Sequence, residues 1–221
     1  VDKWMLGWSD LESNREAGST DVTGAPHAAQ SGLLSGTRVA TAFGWRPVQA
    51  LAAGDRVLTF DHGLQPLADV TRRLVWTGTS APPQRFWPLE IDRGVLGNRG
   101  PFRIMPGQAV MIESDLAESM YGDPFALLPA LALTQMTGVD RSPPPDGAEV
   151  VLLHFEEPQV VFADHGMMFL CPATRNLLDY ALGAAPADIY DILPPPEAQR
   201  LIAAIDRTGA MQSPAEGFDG A

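Results

Sequence analysis

The chain is 221 residues long, 45% hydrophobic, with 21 glycines and 20 prolines and a formal net charge of −12. That length and apolar content suffice for a real core, and the turn-forming residues favour many short strands over long helices. The acidity (sequence pI about 4.6) repels phosphate backbones and anionic membrane surfaces, and no apolar run reaches the ~18–20 residues of a membrane span, so nucleic-acid binding and a membrane span are excluded.

Cys171 is the single cysteine, which rules out an intrachain disulfide. Val1 to Asp10 lack the basic-then-apolar layout of a signal peptide. A soluble chain, cytoplasmic or secreted, is the expectation, with the compartment left open.

In chain order, residues 1–32 read as a polar N-terminal arm whose Trp4, Leu6 and Trp8 dock on the main domain. Thr37 to Thr41 alternates and is β-branched, hence a strand, followed by a turn at Phe43-Gly44-Trp45. A connector from Val48 to Leu51 buries both of those residues. A tight Ala53-Gly54-Asp55 turn then leads to a strand at Arg56 to Phe60 and a hairpin at Asp61-His62-Gly63. Asp69 to Trp76 reads as one long bent strand, and residues 79–88, with three prolines, as a surface loop.

Leu89 to Ile91 is a short strand. The glycine-rich turn Gly94 to Pro101 does not join a strand to a helix, so it is no phosphate loop. Phe102 to Met105 and Ala109 to Ile112 flank Pro106-Gly107, and the leucine-rich run at 126–133 predicts a short helix. Glu149 to Phe155 and Gln159 to Ala163 form a β pair. Residues 173–209 turn helical: one short helix from Thr174 to Leu182, and a second opening at Pro194-Pro195-Pro196-Glu197. The second has Leu201, Ile202 and Ile205 on one face and Gly209 as its stop. Residues 210–221 read as a flexible tail.

Ser35-Gly36-Thr37-Arg38-Val39-Ala40-Thr41 and Gly44, then Pro47-Val48-x-x-Leu51-x-x-Gly54-Asp55-x-Val57-x-Thr59, resemble the opening of bacterial Hint (Hedgehog/intein) domains. Asp61-x-Gly63-x-Gln65-Pro66, Pro88-Leu89-x-Ile91 and Arg103-x-Met105-Pro106 continue in the family's order. Val151-x-Leu153-His154-Phe155 and Val160-Val161-x-Ala163-Asp164 resemble its closing strand pair. The resemblance covers about residues 33–172. It implies a mainly β fold, a Hint-like horseshoe of bent antiparallel strands, with short C-terminal helices outside it.

Hint chemistry begins with a cysteine or serine that attacks the preceding carbonyl, and a histidine that handles the leaving amine's proton. On the resemblance, the nucleophile position is Gly32, which has no side chain, and the central histidine position is Gln108, which cannot shuttle a proton near neutral pH. The histidine that opens the last family strand falls on Pro158. His154 matches the pattern, and Asp164 stands where an acidic residue is usual. A His-Asn ending, needed for splicing, does not occur.

Ser31, one residue early, is the only replacement nucleophile, and the simpler reading is a solvated loop serine. His154 reads as a structural histidine or a relic of the site. Two weaker constellations share residues with it: a Cys171/His165 hydrolase pair, and a zinc set from His154, Asp164, His165 and Cys171 whose spacing fits no standard pattern. His62 and His27 read as exposed, Glu156-Glu157 as a charged turn, and Trp45, Trp76 and Trp87 as core or loop anchors.

The sequence therefore predicts a degenerate site of Ser31, Gly32, Gln108, His154 and Asp164, with no cofactor and no metal. The expected function is a Hint-like module that has lost self-processing and acts by binding a protein partner or as an accessory domain. The alternative is a divergent self-cleaving protein that uses Ser31.

Overall fold

Alternating apolar positions become antiparallel strands throughout the described residues, 30–174 and 190–209, of the computed structural model. The first strand, β1 (Leu33–Leu34), is two residues long. It is followed by β2 (Arg38–Thr41), β3 (Gly44–Pro47), β4 (Arg56–Thr59), β5 (Gly63–Pro66) and β6 (Asp69–Leu74). Val57 and Thr59 in β4 are buried, as their alternation requires, while the adjacent Val39 and Ala40 are both buried, so β2 is covered on both faces there. The turn between β2 and β3 falls earlier than Phe43-Gly44-Trp45 suggests. Gly44, at φ +86°, already opens β3, and Trp45 pairs with Ala40 while remaining 38% exposed, so it is no core residue.

The Gly54 turn matches its reading. Gly54 takes φ +88°, a conformation that glycine adopts without a Cβ clash. The Asp55 carboxylate accepts from Ala52 N–H at 2.9 Å and pairs with Arg46 at 3.3 Å. Val48 and Leu51 in the preceding connector are fully buried.

Next come β7 (Leu89–Ile91), β8 (Phe102–Ile104) and β9 (Ala109–Glu113), then helix α1 (Asp115–Tyr121), β10 (Phe125–Pro129) and β11 (Val139–Arg141). The helix expected at 126–133 is absent. Residues 125–129 pair in register with β9, Leu128 opposite Val110, and only 130–135 coil, as a 3-10 turn. Period alone cannot separate a short, wholly apolar run from a buried strand, and here the neighbouring strand decides. The α1 helix went unread, although Ser114 caps it by accepting from Leu116 N–H, Asp115 and Glu118 sit in its first turn, and Gly122 closes it at φ +81°.

The strands β12 (Glu149–His154), β13 (Gln159–Ala163) and β14 (Met167–Cys171) complete the β structure, and α2 (Pro195–Thr208) follows. In α2, prolines open the first turn and Gly209 ends the helix at φ +64°. Its buried Ala198, Leu201, Ile202 and Ile205 belong to the same apolar cluster as Val39, Val151 and Phe169, so this helix completes the main core. The readings for Trp4 to Trp8, for the helix at Thr174 to Leu182 and for the tail lie outside the described residues.

Among the described residues three antiparallel sheets result. The largest runs β10-β9-β14-β13-β2-β4-β5, with β3 attached to β2. A second has the order β1-β12-β6, and a third β11-β7-β8. The β9–β10–β13–β14 region is apolar on both faces. Val110, Val161 and Phe169 enter the main core, while Met111, Val160 and Met168 form a second cluster with Phe60, Phe125 and Phe162. Among the described residues no helix is long and apolar enough to cross a membrane.

Candidate functional site

Position 32 lies where the chain enters β1, and among the described residues β1 pairs only with β12, Leu33 opposite Val151. Gly32 has φ +113°, and a Cβ built on it would lie 3.1 Å from Val150 Cβ and 3.4 Å from both Leu152 Cγ and Val151 O. A side chain there would meet both an unfavourable backbone region and occupied space.

The Gly32 N–H donates to Gln108 Oε1 at 3.0 Å. Gln108 follows the Pro106-Gly107 turn, in which Gln108 N–H donates to Met105 O and Gly107 N–H donates to Gln30 O. Its own Nε2 donates to Leu170 O at 2.7 Å and to Ala109 O at 3.1 Å. The 5%-exposed carboxamide thus joins the entry to β1, the start of β9 and the end of β14, with both its polar atoms satisfied. The structure therefore brings Gly32 and Gln108, 76 residues apart, into direct contact. A carboxamide can hold a backbone amide this way, but it has no titratable proton to relay.

Ser31 is exposed, and among the described residues no base is hydrogen-bonded to its hydroxyl. His154 ends β12 opposite Asp69 of β6 and is half-buried. Burial pulls its pKa below the usual histidine value. The Asp69 carboxylate and a hydrogen bond with the Ala173 backbone act against that, and Arg73 adds to the lowering. These neighbours include neither Ser31, Gly32 nor Gln108.

Asp164 begins the tight β13–β14 turn. Burial raises its carboxyl pKa, against the lowering effect of the Arg38 backbone N–H bonded to it and of the charges of His165 and Arg38. His165 is the only non-glycine residue with positive φ among the described residues, at +60°. Cys171 pairs with Gln159 at the far end of the same hairpin, and burial pushes its thiol up to about 12. A buried, protonated thiol at the opposite end from an exposed imidazole is not a nucleophile–base pair, which removes the Cys171/His165 hydrolase. The zinc set does not assemble either, for no three His, Cys, Asp or Glu side chains gather as metal ligands among the described residues.

His62 is exposed at its hairpin and bonds Gln159 Oε1 through Nδ1 at 3.0 Å. Trp76 and Trp87 anchor the 77–88 loop, donating to Ser80 O and Pro82 O.

A family model described as Hint domain matches residues 31–168. The chain belongs to the Hint-domain family. The matched range holds Ser31, Gly32, Gln108, His154 and Asp164 together, and the mainly antiparallel β architecture is that of a Hint-like fold. Among solved structures, the chain is similar to a splice-inactive variant of the AceL NrdHF class 3 split intein, at 13% identity and TM-score 0.38, covering 66% of this chain and 99% of that one. It is also similar to a bacterial intein-like domain from Clostridium thermocellum, at 12% identity and TM-score 0.40, covering 64% and 99%. No curated protein matches the chain.

What the sequence did not reveal is the surroundings of Asp164 and His165. They line an open groove of about 390 Å³ together with residues of the Leu34–Thr37, Pro101–Arg103 and Pro143–Pro145 segments. The only local signal was Gly100. A Cβ on it would lie 2.7 Å from His165 Nδ1 and Cε1, so a glycine is what leaves room for the imidazole.

Proposed function

We propose that this Hint domain does not process itself and acts as a non-catalytic binding or accessory module. The observation that carries the reading is the hydrogen bond from Gly32 N–H to Gln108 Oε1. The two positions that would hold nucleophile and histidine on the family pattern are occupied by a glycine with no side chain to react and a carboxamide that only staples the backbone. Catalytic nucleophile and base act as a unit, and losing either typically costs several orders of magnitude in rate. The exposed Ser31, with no base bonded to it, does not replace them.

The test is intact mass of the full chain after prolonged incubation with and without dithiothreitol or hydroxylamine. A single unchanged mass is expected. A product cut between Gln30 and Ser31, abolished by Ser31→Ala, would overturn the reading and make Ser31 a nucleophile.

A further inference from the structure

The groove beside β1 shares no residue with the Gly32–Gln108 contact, and its walls are built rather than incidental. Asn98, 2% exposed, fixes the neighbouring loop by accepting from Leu96 N–H and donating to Asp92 O and Gly100 O. The Arg99 N–H donates to His165 O at 3.0 Å, which ties that loop to the Asp164–Gly166 turn. His165 is held at φ +60° with its ring over Gly100. A strained non-glycine conformation persists only where its surroundings enforce it, and here it fixes the imidazole in the groove wall.

The groove lining carries two carboxylates, Glu149 and Asp164, one arginine, Arg103, and the imidazole of His165. Glu149 is exposed at the start of β12 and has no ion-pair partner among the described residues, and Asp164 belongs to the same lining. Both cations at the groove, Arg103 in its lining and Arg38, whose charge acts on Asp164, have partners of their own. Arg103 is engaged by Glu90 at 3.2 Å, and Arg38 donates from Nη2 to Trp45 O at 2.8 Å. In the same lining, Phe102 and the three prolines at 143–145 offer apolar surface. That combination suits a ligand with a methylene stem and a cationic head. The volume falls within the ~300–1,000 Å³ of small-ligand sites.

We propose that this groove takes up a basic side chain, arginine or lysine, from an extended segment of a protein partner. The net charge of −12 favours approach of a basic partner over an acidic one. The inference rests on the binding-module reading and gives that module's partner a chemistry.

The experiment titrates the isotope-labelled full chain with the blocked peptide acetyl-Gly-Arg-Gly-amide, and separately with its Gln counterpart. Amide shifts should concentrate at Ser35, Gly36, Thr37, Phe102 and His165 with the arginine peptide and be absent with glutamine. Glu149→Gln, an exposed change that leaves the fold intact, should weaken binding about three- to fivefold, as expected for one exposed charge contact. Asp164→Asn should weaken it as well, with a thermal melt to verify folding.

Equal shifts with both peptides, shifts scattered over the acidic surface, or an unaltered Kd in Glu149→Gln would overturn the proposal. Intact mass of the same sample separates the two readings. A cleaved chain that still binds at the groove sinks only the non-processing reading, and an intact chain with no shifts at the groove sinks only this one.

Discussion

The Gly32–Gln108 contact and the Asp164–His165 turn are opposite solutions to placing polar groups in a β-rich fold. At the first, the buried carboxamide has every hydrogen-bonding atom occupied by backbone, and the glycine beside it has no room to grow. At the second, an acid and an imidazole stand at an open groove on a backbone held in a disfavoured region. The polar atoms at the Gly32–Gln108 contact serve cohesion, while those at the Asp164–His165 turn line a groove open to solvent.

The strongest way to break the contrast is Gln108→Ala. It leaves the Gly32 N–H and Leu170 O without their partner in a buried place, so unfolding in urea should show a loss of about 2–4 kcal/mol. A loss below about 1 kcal/mol would mean that the carboxamide is not holding the three segments together.

Gly32 and Gly54 sharpen it. Both have positive φ, but nothing lies within 4 Å of a Cβ at Gly54, whereas Gly32 is crowded by Val150 and Leu152. Gly54→Val should cost about 1–3 kcal/mol from backbone strain alone. Gly32→Cys adds overpacking to a comparable strain and should cost about 1 kcal/mol more. Equal melting temperatures for the two variants would show that the space around position 32 yields freely.

The smallest effect is pH-dependent and comes from His154. Its folded pKa lies below the unfolded value near 6.5, so its contribution is complete above that pH and is lost as pH falls through the folded pKa. His154→Gln should flatten part of the decline in melting temperature between pH 7 and 5. An unaltered slope would mean that the imidazole is as well solvated in the fold as out of it.

Much of this architecture was legible in the sequence because its signals are local. The Gly54-Asp55 turn, the β-branched alternation of Arg56–Thr59, and the proline-opened, glycine-closed helix at Pro195–Thr208 each carry their cause within a few residues. The 125–129 strand was not, because an apolar run without period takes its conformation from the strand beside it. Gly32 and Gln108 could be related only through the family resemblance, since nothing within either segment points across 76 residues. The groove was invisible for the same reason, as its lining comes from segments far apart in the chain. The helix at Asp115–Tyr121 is a different case, because its cap and its acidic first turn were there to be read.

The left-handed backbone at Gly32 has a consequence for the history such a chain can follow. A substitution that places a thiol at position 32 puts a Cβ against Val150 and Val151 on a backbone that resists any side chain. The cost of that step falls on folding before any chemistry can reward it. Acquiring a reactive residue at this position therefore needs the strand entry to be rebuilt first, so the backbone acts as a latch that holds the glycine in place.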